Sequence, residues 1–439
     1  MEKQKEYIEK FSKLIKKETI SDWEEKDLTK FREFQDILRE IFPNLFANCE
    51  FKDFEGSFLL IWKGKNPEKL PVMFMNHHDV VEASGNWEHD PFGAEVSDGK
   101  IWGRGTYDTK GGLFAMLQAG EELMMEGFVP DRDIYFESTC NEETTGRGGD
   151  TISNWMLKEG IRLEMVIDEG GVIMYDPIGG ADGTFAVVGV GEKGCCDIKF
   201  IARSNGGHAS MPPKNTPLVR LGKFMAEVEK KDVFEKKLNE TTRELFRRIG
   251  PSMGAIGFVL KHNGIFGGLI KKVMPSVSSS AGAMLSTTLA FTRAAGSNGN
   301  NVLPQEAYVI GNMRFSHHEG RDKSIAKLKP IADKYGIEIE ILDPGFTSGI
   351  GDYNGNAFKL IESAVKEVFP NVDMTVPYIM TGASDARYYD RVCDQCMRIA
   401  PFEIDDDQLA GMHGLNENIN VSSIEPAVKF YKYLMINGQ

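Results

Sequence analysis

Five short segments of the sequence carry the residue types from which metal-assisted hydrolysis can be built. That chemistry needs histidine and carboxylate ligands, an open coordination position and a nearby base. Asn76-His77-His78-Asp79 follows Val72-Met73-Phe74-Met75, an apolar run that reads as a strand. Side chains two apart share a face of an extended chain, so His77 and Asp79 point the same way and His78 points elsewhere. A carboxylate beside a histidine sets the ring's tautomer and orients it for a metal. Gly103-Arg104-Gly105-Thr106-Tyr107-Asp108 places Asp108 just before a helix, where one carboxylate can bridge two cations. Asn141-Glu142-Glu143 comes directly after another strand. Adjacent carboxylates raise each other's pKa unless cations neutralise them, which suits Glu143 as a ligand and Glu142 as a free proton shuttle. Asp168-Glu169-Gly170-Gly171 ends a further strand, and His413 lies in a glycine-flanked loop, Gly411-Met412-His413-Gly414.

Each piece taken singly has a plainer explanation. His77 and Asp79 could be a polar strand end, Asp108 a helix N-cap, and the Glu pair an acidic loop. Together they supply His, Asp, Glu, a further Asp or Glu, and His, a ligand inventory for two zinc ions. A competing signal, Gly189-Val190-Gly191-Glu192-Lys193-Gly194, matches the dinucleotide fingerprint GxGxxG. That fingerprint has to open a helix. The strand-like run from Cys195 to Ala202 follows here instead, so the match is rejected.

The elements that must position these residues alternate. Helical spacing covers residues 2–17 and 28–42, the first as an exposed amphipathic helix. Strands are expected at 57–62, 72–75, 133–138 and 164–167, with a helix at 111–127 whose apolar face carries Leu113, Met116, Leu117 and Leu123. This alternation predicts an α/β sheet with helices on its faces and functional groups at the carboxyl ends of its strands. From about Gly191 the rhythm becomes strand 195–202, helix 216–230, a long irregular stretch to about Ser286, strands near 287–291 and 307–310, helix 322–334 and strand 337–341. That order is the ferredoxin-like split βαβ pattern. Helices at 356–368 and 425–436 return to α/β character. A small α+β domain is therefore expected inside a larger one, with 1–191 and 347–439 forming the main domain and 192–346 the insert.

With 439 residues the chain is long enough for two domains. Its formal net charge of −14 argues against nucleic acid or an anionic membrane as partner. The first residues hold no apolar core of a secretory signal, and no window approaches the length of a membrane span. The cysteines, Cys49, Cys140, Cys195, Cys196, Cys393 and Cys396, are too sparse for a disulfide framework. A reduced, cytoplasmic setting is expected. Cys393 and Cys396 have CxxC spacing but no second pair to complete a structural zinc site.

The motifs resemble, in order and over almost the whole chain, the dizinc metallopeptidase family of aminoacylase, glutamate carboxypeptidase, acetylornithine deacetylase and succinyl-diaminopimelate desuccinylase, above all its carboxypeptidase S-like branch. The resemblance runs from His77-His78-Asp79-Val80-Val81 through Asp108-Thr109-Lys110-Gly111, Glu142-Glu143, Gly207-His208-Ala209-Ser210, Asn301-Val302-Leu303-Pro304 and Ser384-Asp385-Ala386-Arg387 to His413-Gly414. It implies a mixed-sheet zinc-exopeptidase domain with an inserted ferredoxin-like lid and dimerisation domain. It implies His77, Asp108 and His413 as ligands, Asp108 bridging, with Glu143 on one zinc and Asp168 or Glu169 on the other. Cobalt or manganese would be substitutes. Asp79 would orient His77 and Glu142 would be general base and acid. His208, reaching the partner subunit of a homodimer, and Asn301 would hold the oxyanion, and Arg314 would clamp a substrate carboxylate, a task that suits its planar fork. The implied reaction is cleavage of a terminal amide in a small peptide, of carboxypeptidase or dipeptidase type, or else in an N-acyl amino acid. A non-catalytic binding protein on the same fold is the remote alternative. Asn141 stands where an acidic residue is common, and Thr144-Thr145 delay the usual glycine; neither removes a ligand.

Overall fold

The structure, a computed structural model, describes residues 2–277 and 279–439. Its apolar runs assemble into a nine-stranded mixed sheet. The order is Glu50–Phe54, Ser57–Trp62, Ile134–Ser138, Val72–Met75, Met165–Asp168, Cys396–Arg398, Thr184–Glu192 and Met374–Met380, with Val172–Tyr175 also paired to Thr184–Glu192. Val72–Met75 runs parallel to both Ile134–Ser138 and Met165–Asp168, and the latter runs parallel to Cys396–Arg398. Parallel strands covered on both faces read as unbroken apolar sequence rather than alternating sequence. Val72, Met73, Phe74 and Met75 are all buried accordingly.

One face of the sheet carries Phe74 and Phe136, packed with Phe114 of the helix Lys110–Met125, Tyr431 of the helix Val421–Asn437 and Phe11 of the helix Glu2–Lys16. The first helix, expected to be exposed, is only half so: Tyr7, Phe11, Leu14 and Ile15 are buried. The opposite face holds Met73 and Tyr135 against Ile152 and Met156 of the helix Arg147–Lys158 and against Tyr389.

A second, four-stranded antiparallel sheet has the order Thr288–Ala295, Glu306–Phe315, Gly194–Arg203, Ile337–Asp343. Its helices, Pro217–Lys230 and Gly320–Lys334, share a core with it that includes Phe200, Phe224 and Leu328. The connection is the split βαβ order expected from the sequence. The GxGxxG segment passes from strand Thr184–Glu192 directly into strand Gly194–Arg203 and opens no helix.

One expectation fails. The stretch from 232 to 286 is helical rather than irregular, with helices Glu240–Ile249, Gly254–Lys261, Asn263–Val277 and Ser279–Leu285. Its apolar residues Leu245, Phe246, Ile249 and Leu260 pack with Phe185, Val187 and Val376 of the large sheet, which gives these short helices the burial that holds them. Its glycines include a packing position: a Cβ on Gly257 would lie 1.9 Å from the Gly250 carbonyl oxygen.

Candidate metal centre

Three neighbouring parallel strands end at one edge of the large sheet, and each delivers part of the cluster there. His77 and Asp79 follow Val72–Met75, Glu142 and Glu143 follow Ile134–Ser138, and Asp168 closes Met165–Asp168. Asp108 arrives on the loop that enters the helix Lys110–Met125. That helix lies against the first strand's end: Thr109 Oγ1 donates to Asn76 Oδ1 at 2.9 Å, and a Cβ on Gly112 would meet the same oxygen at 2.0 Å, so only glycine fits. His413 stands in the loop between the helix Asp406–Gly411 and the strand Asn418–Asn420.

Ligand atoms of His77, Asp108 and Glu143 all lie within 4.8 Å of one another. Asp108 sits between two imidazoles. His77 Nε2 is 3.1 Å from its Oδ1 and His413 Nε2 is 2.9 Å from its Oδ2. His413 Nε2 is also 3.0 Å from Glu143 Oε2, while Glu143 Oε1 is buried with no hydrogen-bond partner. Burial lifts the Glu143 carboxyl to about 7, helped by the charge of Asp108. Glu142 and Glu169 are driven well above the carboxylate range, first by burial and then by neighbouring acids. Burial would raise Asp108 too, but its hydrogen bonds to His413 and His77 hold it below its ordinary value. Its hydrogen bonds to Asp108 and Glu143 lift His413 to about 10. Four carboxylates and two imidazoles crowded together, one carboxylate oxygen orphaned, form a donor set with more negative charge than its histidines can balance. Cations with oxygen and nitrogen ligands fit this set.

Asp79 does more than orient the ring beside it. His77 Nδ1 contacts the Asp79 backbone carbonyl at 2.9 Å and the carboxylate at 3.4 Å. The carboxylate itself accepts the backbone N–H of Glu142 on Oδ1 and that of Glu143 on Oδ2, both at 3.1 Å, and the Ser21 hydroxyl at 2.7 Å. His78 turns away as expected. It stacks on Phe34 at 5.2 Å, contacts Ser138 Oγ at 2.8 Å, and is held by burial down to about 3.

Asp168 and Glu169 differ in surroundings. The Asp168 oxygens accept backbone N–H groups, Oδ1 from Glu169 at 2.9 Å and Oδ2 from Ala386 at 2.8 Å. Glu169 faces Asp108, Asp168 and Glu142. Tyr107 and Tyr378 border it, their hydroxyls donating to the carbonyls of Gly171 and Gly170.

The residues expected from the insert make no hydrogen bond or ion pair with the cluster among the described residues. Gly207–His208 pairs with Val302–Leu303, which brings His208 beside Asn301, whose carbonyl accepts the Ala209 N–H at 2.9 Å. Both are exposed, and His208 bonds within its own loop, to Ser210. Arg314, half-buried on Glu306–Phe315, donates to Asn312 Oδ1 at 3.0 Å.

Three residues of the cluster's surroundings had no role assigned from sequence. Glu417, fully buried, accepts the N–H groups of Gly105, Tyr107 and Asp108 and pairs with Arg104 at 2.7 Å. Asp385 accepts the Thr139 hydroxyl at 2.6 Å, and burial lifts it to about 7. Arg387 lies close enough to Glu142 for their charges to interact. The motif around Ser384-Asp385-Ala386-Arg387 is the signal that marks the last two; Glu417 carries none.

A family model described as peptidase family M20/M25/M40 matches residues 73–437. Over 447 residues the chain is 28% identical to an N-fatty-acyl-amino acid synthase/hydrolase of Danio rerio, covering 100% of this chain and 86% of that protein. It is 29% identical over 420 residues to a probable carboxypeptidase S-like protein of Dictyostelium discoideum, covering 93% and 80%. The fold superposes on an M20 family metallo-carboxypeptidase from Sulfolobus solfataricus with a TM-score of 0.69 at 19% identity, covering 98% of each chain.

Proposed function

Because the chain belongs to peptidase family M20/M25/M40, a family of metallohydrolases, we propose that it is a dizinc exopeptidase that cleaves the terminal amide of a small peptide bearing a free carboxylate. The observation that carries this reading is Asp108, held between His77 Nε2 and His413 Nε2 within reach of Glu143. One carboxylate with a different imidazole at each oxygen is what a bridging ligand requires. His77, Asp108, Glu143, His413 and Glu169 would hold the two ions. Glu169 is preferred to Asp168 because both Asp168 oxygens are already engaged by backbone N–H groups. When bound, the zinc pair supplies Lewis acidity, polarising the scissile carbonyl and acidifying water.

The chain's own residues do the rest. Glu142, its backbone fixed by Asp79, takes a proton from the attacking water and passes it to the leaving amine. Asp79 fixes the Glu142-Glu143 turn and orients His77. Arg387 favours the charged form of Glu142. Arg314 would clamp the substrate carboxylate, and Asn301 and the partner subunit's His208 would donate to the oxyanion. These three assignments rest on the resemblance of their motifs, and they require that the insert 192–346 act as a lid and dimer module on a main domain of 1–191 and 347–439. Unpaired cysteines throughout support a reducing, cytoplasmic setting. Among the described residues no helix is long and apolar enough to cross a membrane.

A second reading, an N-acyl amino acid deacylase, is favoured by the likeness to N-fatty-acyl-amino acid synthase/hydrolases. A panel of dipeptides, longer peptides and N-acyl amino acids, assayed with zinc, cobalt and manganese, decides between the two. Preferential turnover of acyl amino acids would replace the first with the second. No turnover of any member by the zinc-loaded protein would remove both.

A further inference from the structure

The net charge of −14 is unevenly distributed. From Leu245 to Gln305 there is no Asp or Glu, while Arg247, Arg248, Lys261, Lys271, Lys272 and Arg293 fall in that stretch. Arg247 and Arg248 are paired with Glu244. Lys261, Lys271 and Lys272 form no ion pair among the described residues. The same stretch holds large apolar side chains that the fold leaves in water. Phe258 is 62% exposed, Ile265 80% and Leu269 50%. Ile265, Leu269 and Lys272 recur at helical spacing along Asn263–Val277, so they lie on one face. Phe258, from the preceding helix Gly254–Lys261, has its ring 6.1 Å from that of Phe266, which joins the two helices into one apolar surface. Their other sides are anchored to the large sheet through Leu260, Ile270 and Met274.

We propose that this helical pair docks the protein on an anionic lipid surface. Apolar side chains with lysines beside them, on helices that carry no acidic residue, is the pattern by which helices lie in the headgroup region. Each lysine near such a surface adds about 1 kcal/mol, roughly a fivefold gain in binding. A second copy is a poorer occupant, because a two-fold contact through this patch would set its lysines against their own counterparts. The acidic remainder of the molecule is repelled by the same surface, so the patch also fixes which side faces the lipid. The whole-chain charge, which argued against a membrane partner, averages over this asymmetry.

The test is sedimentation of the full chain with phosphatidylcholine vesicles, alone or mixed with phosphatidylglycerol. Binding to the mixed vesicles only, weakened by salt, is the expected result. The double variant K271Q/K272Q should lose about 25-fold in affinity, at roughly fivefold per lysine, and I265E should abolish sedimentation. Ile265 and Lys272 are exposed and Lys271 is half-buried, and unchanged circular dichroism and thermal midpoints confirm that the variants fold. Three results would overturn the proposal: no sedimentation of the parent chain, equal sedimentation with both lipids, or a concentration-dependent dimer that I265E dissolves in the absence of any vesicle binding.

Discussion

Asp79 holds the backbone of Glu142, accepting its N–H at 3.1 Å on one carboxylate oxygen while the other takes the N–H of Glu143 at the same distance. Both oxygens must be acceptors. Asp79→Asn would turn an NH2 group onto one of two amide donors and leave a buried N–H without a partner, at a cost of about 1–3 kcal/mol. Support of this kind typically contributes 10–100-fold to metal affinity. The variant is expected to bind zinc about 10–100-fold more weakly in a titration against a competing chelator. Unchanged affinity would mean that the turn holds itself.

Glu142→Gln removes the proton carrier and leaves its neighbours in place. Turnover of the best panel substrate should fall by about 10²–10⁴-fold, with the zinc content of the purified protein unaltered by elemental analysis. Near-normal turnover would transfer the proton step to another group.

The contrast between Asp168 and Glu169 is directly testable. Glu169→Gln should lower the metal content with little effect on the thermal midpoint of the metal-free protein. Asp168→Asn should do the reverse, because it breaks backbone hydrogen bonds to Glu169 and Ala386. Exchanged phenotypes would reverse the assignment.

Glu143 and Asp385 are each lifted by burial to about 7 in the metal-free protein. A carboxyl whose pKa is raised in the folded state binds more protons folded than unfolded, so stability falls as pH rises. The window runs from the ordinary carboxylate range up to about 7. His413, raised to about 10, adds stability that is lost as pH climbs from its ordinary value of about 6.5 toward 10. His78, held by burial down to about 3, adds stability as pH rises toward its ordinary value, so the carboxyl effect is read against a variant: from about pH 4.5 to pH 7 the chelator-treated parent should lose thermal midpoint relative to Glu143→Gln/Asp385→Asn. Zinc, which favours deprotonated ligands, should flatten the Glu143 part of the decline. A parent that gains midpoint relative to that variant over the same interval would contradict these shifts.

Arg398 and Glu192 form a pair buried beneath the site, Nε to Oε1 at 2.6 Å, and Glu192 also accepts both the N–H and the hydroxyl of Ser384. Removing one partner of a buried pair strands the other, typically at about 3–5 kcal/mol. Arg398→Leu should show that loss in urea unfolding; a loss below about 1 kcal/mol would mean that water reaches Glu192.

The strands that carry the site could be read because they are buried on both faces and so appear as uninterrupted apolar runs. Their ends, where His77, Glu142 and Asp168 stand, could be read for the same reason. The different surroundings of Asp168 and Glu169 could not, since they depend on an N–H donated to Asp168 by Ala386, more than two hundred positions away in the chain. Glu417 was hidden likewise: its partners are backbone groups at Gly105, Tyr107 and Asp108, and backbone donors leave no mark in sequence. The helices between 232 and 286 were masked by composition. Glycine weakens helix propensity, and Gly257 is there because a neighbouring backbone comes too close for any larger residue.

The anchoring of the Asp108 loop by Glu417 has a consequence for biosynthesis. Asp108 leaves the ribosome early, yet the side chain that holds its loop is made more than three hundred residues later, almost together with His413. A growing chain therefore cannot close this cluster until the segment carrying His413 and Glu417 emerges, and a half-made polypeptide lacks both the second imidazole and the anchor of the Asp108 loop.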